Sequence, residues 1–227
     1  MSSIPAIAIL AVMDRYDDYY RSTPDVFGSA PNPVLVQHAE LIDPSATALD
    51  IACGQGRNSF FLARSGMTVH ALDLSAEAVR QVNAVAEKEG LAIRTIHSGF
   101  ADLQPEAGGY GAILVFGLIP DLEREHVAAL VTLIEKVLAP MGLLFITAFG
   151  TWDPAFENHR REWTEESLNS FCSLDGVVRT YLEPGELVAL FPGLEVVHSW
   201  EGLGPEHRHG DGPPERHGLA EAVLRRP

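Results

Sequence analysis

The chain has 227 residues, of which 46% are hydrophobic and 21% are charged, a composition typical of globular proteins. Its 16 basic and 31 acidic residues give a formal net charge of −15. An acidic surface repels phosphate backbones and anionic lipid. We therefore expect neither a nucleic acid nor a membrane as the main partner.

Cysteine content and hydropathy indicate a cytoplasmic location. The two cysteines, Cys53 and Cys172, are too few for a disulfide framework or a four-thiolate zinc site. The longest apolar run, residues 4–13, is too short to cross a bilayer. No basic residue precedes this run, unlike the start of a secretory signal.

Strand-like and helix-like segments alternate from residue 46 onward. Helical segments show apolar residues at spacings of three and four, and the strands are short apolar runs. This repeated order predicts a parallel sheet wound by right-handed crossovers. The predicted elements are, in chain order, strand 46–52, helix 58–64, strand 67–73, helix 75–88, strand 93–97, strand 111–116, helix 123–138 and strand 143–149.

The last third of the chain departs from this order. Residues 150–183 are rich in Trp, Glu and Arg, and a loop of that length is usually functional or carries its own structure. Two interpretations stay open: a substrate lid, or a small helix capped by Thr164 that packs against the core. After a predicted helix over 184–190, strands are predicted over 194–200 and 217–224, and they form a closing hairpin.

Residues 50–58, Asp-Ile-Ala-Cys-Gly-Gln-Gly-Arg-Asn, join the first predicted strand to the first predicted helix. Glycine lets a backbone turn tightly and approach a ligand, and a helix N-terminus offers free N–H groups. Asp73 ends the second predicted strand, where a carboxylate can accept both hydroxyls of a ribose. Together these features indicate a ligand that contains a nucleoside.

Two residues decide which nucleotide fits this loop. A dinucleotide fingerprint requires a third glycine where this chain has Ser59. Asp50, at the mouth of the loop, would repel a pyrophosphate but suits the ammonium group of an amino acid. S-adenosylmethionine fits both residues, and a nicotinamide-dependent oxidoreductase is disfavoured.

The sequence LDIACGQGRNSFFLA, with VFGSAPNPVL (26–35) and ALDLSAEAV (71–79), resembles the class I S-adenosylmethionine-dependent methyltransferases. Within them it is most similar to the tellurite-resistance (TehB-like) group. The resemblance implies an α/β fold, a Rossmann-like three-layer sandwich with a seven-stranded, mostly parallel sheet and a C-terminal antiparallel hairpin. We expect one domain over residues 1–227, with residues 1–45 as a cap over the cofactor pocket and 150–183 as an insert or lid.

The resemblance also implies which residues bind S-adenosylmethionine. They lie in the glycine loop and after the second, third and fourth predicted strands. In the less specific interpretation, individual members of this set cap a turn or belong to the core. The implied cofactor-binding residues are Asp50, Ala52, Gly54, Gly56, Arg57, Asn58, Asp73, Leu74, Phe100, Ala101, Asp102 and Phe116.

Methyl transfer from a sulfonium requires alignment of nucleophile, methyl carbon and leaving sulfur, and only a protonated nucleophile needs a general base. Residues 204–208 (GPEHR) resemble the G-E-L-H-R stretch of tellurite methyltransferases, although Pro205 and Glu206 depart from it. The resemblance implies that His207, Arg208 and Arg216 are catalytic and hold or assist an oxyanion. Alternatively, they belong to a solvated turn.

Two further regions supply candidate substrate-binding residues. They combine aromatic and cationic side chains, before the first strand and in the segment 150–183. The three histidines His207, His209 and His217 lack a completing ligand at a recognisable spacing, so we expect no metal site. The substrate-binding candidates are Tyr16, Tyr20, Phe27, His159, Arg160 and Trp163.

The sequence predicts a methyltransferase that acts on a small molecule, either an oxyanion such as tellurite or a small oxygen, sulfur or nitrogen nucleophile. A cofactor-binding protein of the same fold, with a non-transferring or structural role, stays open as the alternative. A nucleic-acid methyltransferase is disfavoured by the charge and by Gly-Leu-Ile-Pro at 117–120, where an Asn-Pro-Pro-Tyr-type motif would stand. We expect a monomer or homodimer.

Overall fold

The structure is a computed structural model that describes residues 16–103, 109–208, 212 and 214–227. Residues 16–22 are helical. The further helices are α1 (Pro33–His38), α2 (Arg57–Arg64), α3 (Ala76–Glu89), α4 (Arg124–Val137), α5 (Phe156–Glu162) and α6 (Glu186–Ala189). The strands are β1 (Thr47–Ile51), β2 (Thr68–Asp73), β3 (Ile93–His97), β4 (Tyr110–Val115), β5 (Leu138–Gly150), β6 (Thr164–Ser167), β7 (Ser170–Cys172), β8 (Val178–Leu182), β9 (Glu195–Leu203) and β10 (Gly218–Arg225).

Seven strands form the central sheet in the order β3-β2-β1-β4-β5-β10-β9. The first five are parallel neighbours, and β10 runs antiparallel to both β5 and β9. The predicted mostly parallel sheet with a closing hairpin is therefore confirmed, and β8, β7 and β6 continue from β5 and extend the predicted seven strands to ten. The carboxyl ends of the parallel strands meet at one edge of this sheet, called here the carboxyl edge, where ligands bind in open α/β folds.

Helices cover both faces of the sheet. On one face α4 buries Val127, Leu130 and Ile134 against the strands, and α1 and α2 pack on the other face. The start of α3 is set by Ser75, whose hydroxyl accepts a hydrogen bond from the Ala78 amide at 3.1 Å. Every described helix is too short or too polar to span a bilayer.

Residues 150–183 fold into α5 and an antiparallel meander of β6, β7 and β8, and β8 joins the sheet beside the end of β5. Of the two open interpretations, the small helix capped by Thr164 is wrong, because Thr164–Ser167 form β6 and the helix of this segment lies before them. Asn169 has φ +55° and turns the chain tightly into β7. Phe171 is thereby buried at 1% exposure, while Leu168 at the turn is 67% exposed.

Candidate active site

The loop after β1 holds three residues with positive φ: Ala52 at +59°, Gly54 at +53° and Gly56 at +85°. The left-handed conformation favours glycine, since a side chain clashes with its own backbone there. At Gly56 a Cβ atom would also lie 2.8 Å from Val82 Cγ2 and 2.9 Å from Phe60 Cζ. Close packing against α2 and α3 therefore requires glycine at this position.

Asp73, at the end of β2, is buried at 7% exposure and fixes the loop. Its Oδ2 accepts a hydrogen bond from the Gly54 amide and its Oδ1 accepts one from the Ser75 amide, both at 2.8 Å. Burial raises the pKa of this carboxyl above its ordinary value. A carboxylate has about four acceptor positions, so two remain for a ligand.

Asp50 lies at the end of β1 with 2% exposure, and the Ser59 hydroxyl donates to its Oδ2 at 2.6 Å. Burial, with a smaller contribution from the charge of Asp73, raises the pKa of Asp50 to about 7. A cation bound near these two carboxylates would favour the charged form of Asp50. The two carboxylates, Asp50 and Asp73, therefore suit a ligand that carries positive charge.

Leu74 and Asp102 meet beside the end of β3. The Leu74 Cδ2 and Asp102 Oδ2 atoms would lie 3.5 Å and 3.7 Å from a Cβ atom on Gly99, so both side chains border the same spot. Leu74 is 40% exposed, which leaves an apolar surface next to Asp73. Phe100 and Ala101 lie in the same 3-10 helix, Phe100–Asp102; Phe100 packs against the core and Ala101 is exposed.

The residues that follow β4 also expose backbone to solvent. Phe116 is half-buried against the core cluster beneath α1 and α2. Gly117 has φ +72°, its amide donates to Thr147 Oγ1 at 3.1 Å, and no heavy atom lies within 4 Å of its missing Cβ. This position offers exposed backbone at the carboxyl edge.

The second half of the glycine motif contacts the N-terminal segment, residues 16–32. Arg57 donates a hydrogen bond to the Phe27 carbonyl, and Asn58 Oδ1 accepts one from the Asn32 amide at 2.8 Å. In this structure the polar groups of Arg57 and Asn58 therefore bind protein backbone.

Gln55 was missed by the sequence reasoning although it lies inside the motif. Its Oε1 accepts from the Val26 amide at 2.8 Å, and its Nε2 donates to the Thr23 carbonyl at 3.1 Å and to Gln81 Oε1 at 3.0 Å. Gln81 in turn donates to the Tyr20 carbonyl at 2.8 Å. These hydrogen bonds hold the N-terminal segment on the loop.

The N-terminal segment places two of the three predicted aromatic side chains over the loop. Tyr20 is 6% exposed, and its hydroxyl lies 3.0 Å from the position of a Cβ on Gly54. Burial, and then the charge of Asp73, raises the pKa of Tyr20. Tyr16 stacks on Tyr20 with ring centroids 5.9 Å apart, and the Phe27 ring, 38% exposed, meets Tyr20 edge-on at 6.3 Å between centroids.

Asp121, after β4, links this segment to residues 150–183. It accepts one hydrogen bond from the Tyr16 hydroxyl and another from Arg179 of β8. Three separate parts of the chain thus meet at one partly buried carboxylate. Neither Asp121 nor Arg179 was predicted, because no sequence motif marks either residue.

The segment 150–183 brings two predicted residues together. The Tyr181 hydroxyl lies 2.7 Å from His159 Nδ1, and the His159 ring stacks on Trp163 at 4.0 Å. Burial and then the charge of Arg179 lower the pKa of His159. Arg160 is exposed and pairs with Glu157 at 3.3 Å, on the outer face of α5.

The turn between β9 and β10 carries the predicted catalytic residues. His207 Nδ1 lies 3.2 Å from the Pro205 carbonyl, Arg208 donates to the Gly212 carbonyl at 2.9 Å, and Arg216 donates to the Gly204 carbonyl at 2.9 Å. Each of these side chains therefore contacts backbone of its own turn, at the carboxyl edge. His209 lies outside the described residues.

His217 follows that turn and pairs with a residue that the sequence reasoning missed. Its Nδ1 lies 3.1 Å from Oδ2 of the buried Asp153, and its ring stacks on Phe149 at 4.2 Å. Within the described parts of the chain, the residues grouped closely enough to hold a metal ion are Glu123, Glu125 and His126 at the start of α4. They lie apart from the turn whose histidines were considered.

Residues 48–142 match the family model described as a methyltransferase domain. The match covers less than half of the chain; the sheet order and the glycine loop agree with the fold predicted from the resemblance to the class I S-adenosylmethionine-dependent methyltransferases.

Within this class the chain is similar to the probable S-adenosyl-L-methionine-dependent methyltransferase TehB of Haemophilus influenzae, at 32% identity over 82 residues, 34% of this chain and 28% of TehB. The structural match to the crystal structure of TehB covers 86% of this chain and 62% of the TehB chain, with a TM-score of 0.66 and 24% sequence identity.

Two other proteins are similar over longer stretches. The ubiquinone biosynthesis O-methyltransferase of Xanthomonas axonopodis pv. citri is 30% identical over 133 residues. The aligned region covers 56% of this chain and 54% of the length of that enzyme. The 1,6-didemethyltoxoflavin-N1-methyltransferase of Burkholderia thailandensis was solved with bound 1,6-didemethyltoxoflavin and S-adenosylhomocysteine. Its structural match covers 100% of this chain and 92% of that chain, with a TM-score of 0.71 and 17% identity. The chain spans about half, or less, of the length of the curated relatives.

Proposed function

We propose that this chain transfers a methyl group from S-adenosylmethionine to a small-molecule acceptor. The observation that carries the proposal is Asp73, a buried carboxylate at the end of β2 that is tied to the Gly54 and Ser75 amides and keeps acceptor capacity. That is the position at which doubly wound folds bind a ribose.

The neighbouring residues fit the other parts of S-adenosylmethionine. Asp50 and Asp73 provide negative potential for an ammonium and a sulfonium, and Leu74 with Asp102 provides an apolar face and an acceptor for adenine. Gly117 leaves the backbone after β4 accessible. S-adenosylmethionine supplies an activated methyl group and is consumed in each turnover, so it acts as a substrate.

Residues 16–32, residues 150–183 and the described residues of 204–217 border the same edge and would enclose the acceptor. Their roles are to exclude water and to align the nucleophile with the methyl group, which is the main requirement of this displacement. The names of the relatives include an O-methyltransferase and an N1-methyltransferase, which supports a small organic acceptor. An oxyanion such as tellurite stays a second acceptor class, on the likeness to TehB.

Release of S-adenosylhomocysteine across a panel of phenols, thiols, amines and oxyanions tests the proposal. Turnover with at least one acceptor, lost in Asp73→Asn, is the expected result. Binding of S-adenosylmethionine without turnover on any acceptor would instead support a cofactor-binding protein that does not transfer methyl groups. A cytoplasmic location and a monomeric or homodimeric state stay predictions from the sequence.

A further inference from the structure

The N-terminal segment adds a carboxylate to those of the cofactor loops. Asp17 accepts a hydrogen bond from the Ser75 hydroxyl and another, at 3.1 Å, from the Glu77 amide at the start of α3. Asp73 accepts from the amide of the same Ser75 at 2.8 Å, and Ser75 is 1% exposed. Two carboxylates from distant parts of the chain therefore meet at one buried residue, beside the position proposed for the ribose.

These carboxylates have little compensating positive charge. Within the described part of the chain, no salt bridge includes Asp17, Asp50 or Asp73. Burial raises the pKa of Asp73, and the charge of Asp17 adds to that rise. Burial likewise raises the pKa of Asp50, and the charge of Asp73 adds to it. Arg57 and His97 lower these two pKa values by smaller amounts, so an excess of negative charge stays beneath the N-terminal segment.

Tyr20 brings a polar group into the same place. The residue is 6% exposed, and its hydroxyl lies 3.0 Å from the position of a Cβ on Gly54, whose amide binds Asp73. None of the hydrogen bonds in the described part of the chain includes this hydroxyl. Burying a hydroxyl without a partner costs free energy. A polar or charged ligand atom over Gly54 would therefore complete it, and the stacked ring of Tyr16 adds an aromatic face.

Excess negative charge, an unpaired phenol oxygen and aromatic rings together favour an organic cation. S-adenosylmethionine carries a sulfonium as well as its amino-acid charges, whereas S-adenosylhomocysteine has a neutral sulfur. During methyl transfer the acceptor nucleophile forms a bond to the methyl carbon. The carbon–sulfur bond breaks and its electron pair stays on sulfur. The reaction therefore removes the positive charge that these side chains favour.

We propose that the N-terminal segment closes over the methyl donor through Asp17 and Tyr20 in response to the sulfonium charge, and that loss of this charge on methyl transfer opens the segment and releases the product. The inference rests on the proposed methyl transfer. The segment is held on the glycine loop by side-chain hydrogen bonds, from Gln55 to Val26 and Thr23, which open without disturbing the sheet. The ligand charge shifts the balance between the closed and open states.

Calorimetric titration tests the charge preference with two ligands that transfer no methyl group, S-adenosylhomocysteine and sinefungin, which carries an ammonium-bearing carbon in place of sulfur. The wild-type chain should bind sinefungin at least about 10-fold more tightly. Asp17→Asn keeps an oxygen for Ser75 and Glu77 but loses the charge, so this ratio should fall about 5-fold. Asp18→Asn is the matched control, because Asp18 is exposed and pairs with Arg21 at 2.7 Å, and it should keep the wild-type ratio.

Tyr20→Phe tests the hydroxyl separately. The ratio of the two affinities should fall about 3-fold, while the free energy of unfolding should not fall, because no hydrogen bond within the described chain is lost. Tyr19→Phe is the control, since Tyr19 is 48% exposed, and it should leave the ratio unchanged. A Tyr20→Phe variant that loses stability and keeps the wild-type ratio would show that the hydroxyl has a structural role alone, against the inference.

Hydrogen exchange follows the segment directly. With each ligand at saturation, the Val26 amide, which donates to Gln55, should exchange at least about 5-fold more slowly with sinefungin than with S-adenosylhomocysteine. Asp17→Asn should reduce this difference. Equal exchange with the two ligands would overturn the inference, as would equal affinities or an equal fall of the ratio in Asp17→Asn and Asp18→Asn. Failure of both ligands to bind would instead overturn the proposed function itself.

Discussion

The two halves of the site are built differently. In the cofactor half, defined as the loops after β1, β2, β3 and β4, backbone amides and carboxylates meet over a short stretch of chain, as in the hydrogen bond from Gly54 to Asp73. In the acceptor half, defined as residues 150–183 and the described residues of 204–217, side chains meet across long separations. Asp153 contacts His217 within this half, and Arg179 donates to Asp121 after β4, which also accepts from Tyr16. The first half depends on local backbone geometry and the second on tertiary packing.

The largest expected effect tests the backbone basis of the cofactor half. Gly56→Ala must adopt a left-handed conformation and displace Val82 and Phe60, whose atoms lie 2.8 Å and 2.9 Å from the new Cβ. We expect the free energy of unfolding to fall by about 3–5 kcal/mol in chemical denaturation. Gly90→Ala, at φ +66° with no atom within 4 Å, is the control and should cost about 1 kcal/mol. Equal losses would show that close packing of the loop is unimportant.

The second prediction concerns Asp73. Asp73→Asn retains one acceptor oxygen but cannot accept from both amides and both ribose hydroxyls, so affinity for S-adenosylhomocysteine should fall about 100-fold, or about 2.7 kcal/mol. Calorimetric titration measures this change. Asp43→Asn is the matched control, because Asp43 Oδ1 accepts from the Ser45 amide at 2.9 Å in the same two-residue turn, before β1. Equal affinities of the two variants for S-adenosylhomocysteine would show that Asp73 does not bind this ligand.

A smaller change in free energy is expected for the N-terminal segment, which contacts both halves of the site. Gln55→Ala loses the hydrogen bonds to Val26 and Thr23, and the local opening free energy should fall by about 2 kcal/mol. Hydrogen exchange at the Val26 amide reports this opening. Gln37→Ala, exposed on α1, should leave exchange unchanged. Unaltered exchange in Gln55→Ala would mean that the segment is held by other contacts.

The last effect is a pH dependence of the free energy of unfolding, similar in size to the effect of Gln55→Ala. Burial raises the pKa of Asp50 to about 7 in the folded chain from 3.8, so the folded chain keeps a proton that the unfolded chain loses. The stability contributed by this group is complete below about pH 4 and is lost as pH rises towards 7. Asp50→Asn lacks this titration, and its free energy of unfolding relative to wild type should rise by about 2 kcal/mol between pH 5 and pH 7.

Asp43→Asn is again the control for that comparison. Hydrogen bonds from Ser45 lower the pKa of the exposed Asp43, so its titration lies below this pH range. The difference between Asp43→Asn and wild type should therefore stay constant from pH 5 to pH 7. A constant difference for Asp50→Asn as well would contradict a buried carboxyl that titrates near neutrality.

The sequence predicted the sheet and the cofactor half because both depend on local patterns. Apolar runs, the glycine spacing and the acid at Asp73 are read directly along the chain, and the sheet order follows from the implied class. The meander was missed because Thr164 is a residue type that caps helices, whereas the turn at Asn169 and the burial of Phe171 favour strands. The Asp153–His217 contact depends on how β10 packs against residue 153, which no local pattern records.

Calorimetric titration of the wild-type chain with S-adenosylhomocysteine and with NAD tests the central claim most directly. The carboxylates Asp50 and Asp73 and the open backbone at Gly117 predict micromolar binding of S-adenosylhomocysteine and no binding of NAD. Binding of NAD with none of S-adenosylhomocysteine would contradict the assignment of the carboxyl edge to a methyl donor.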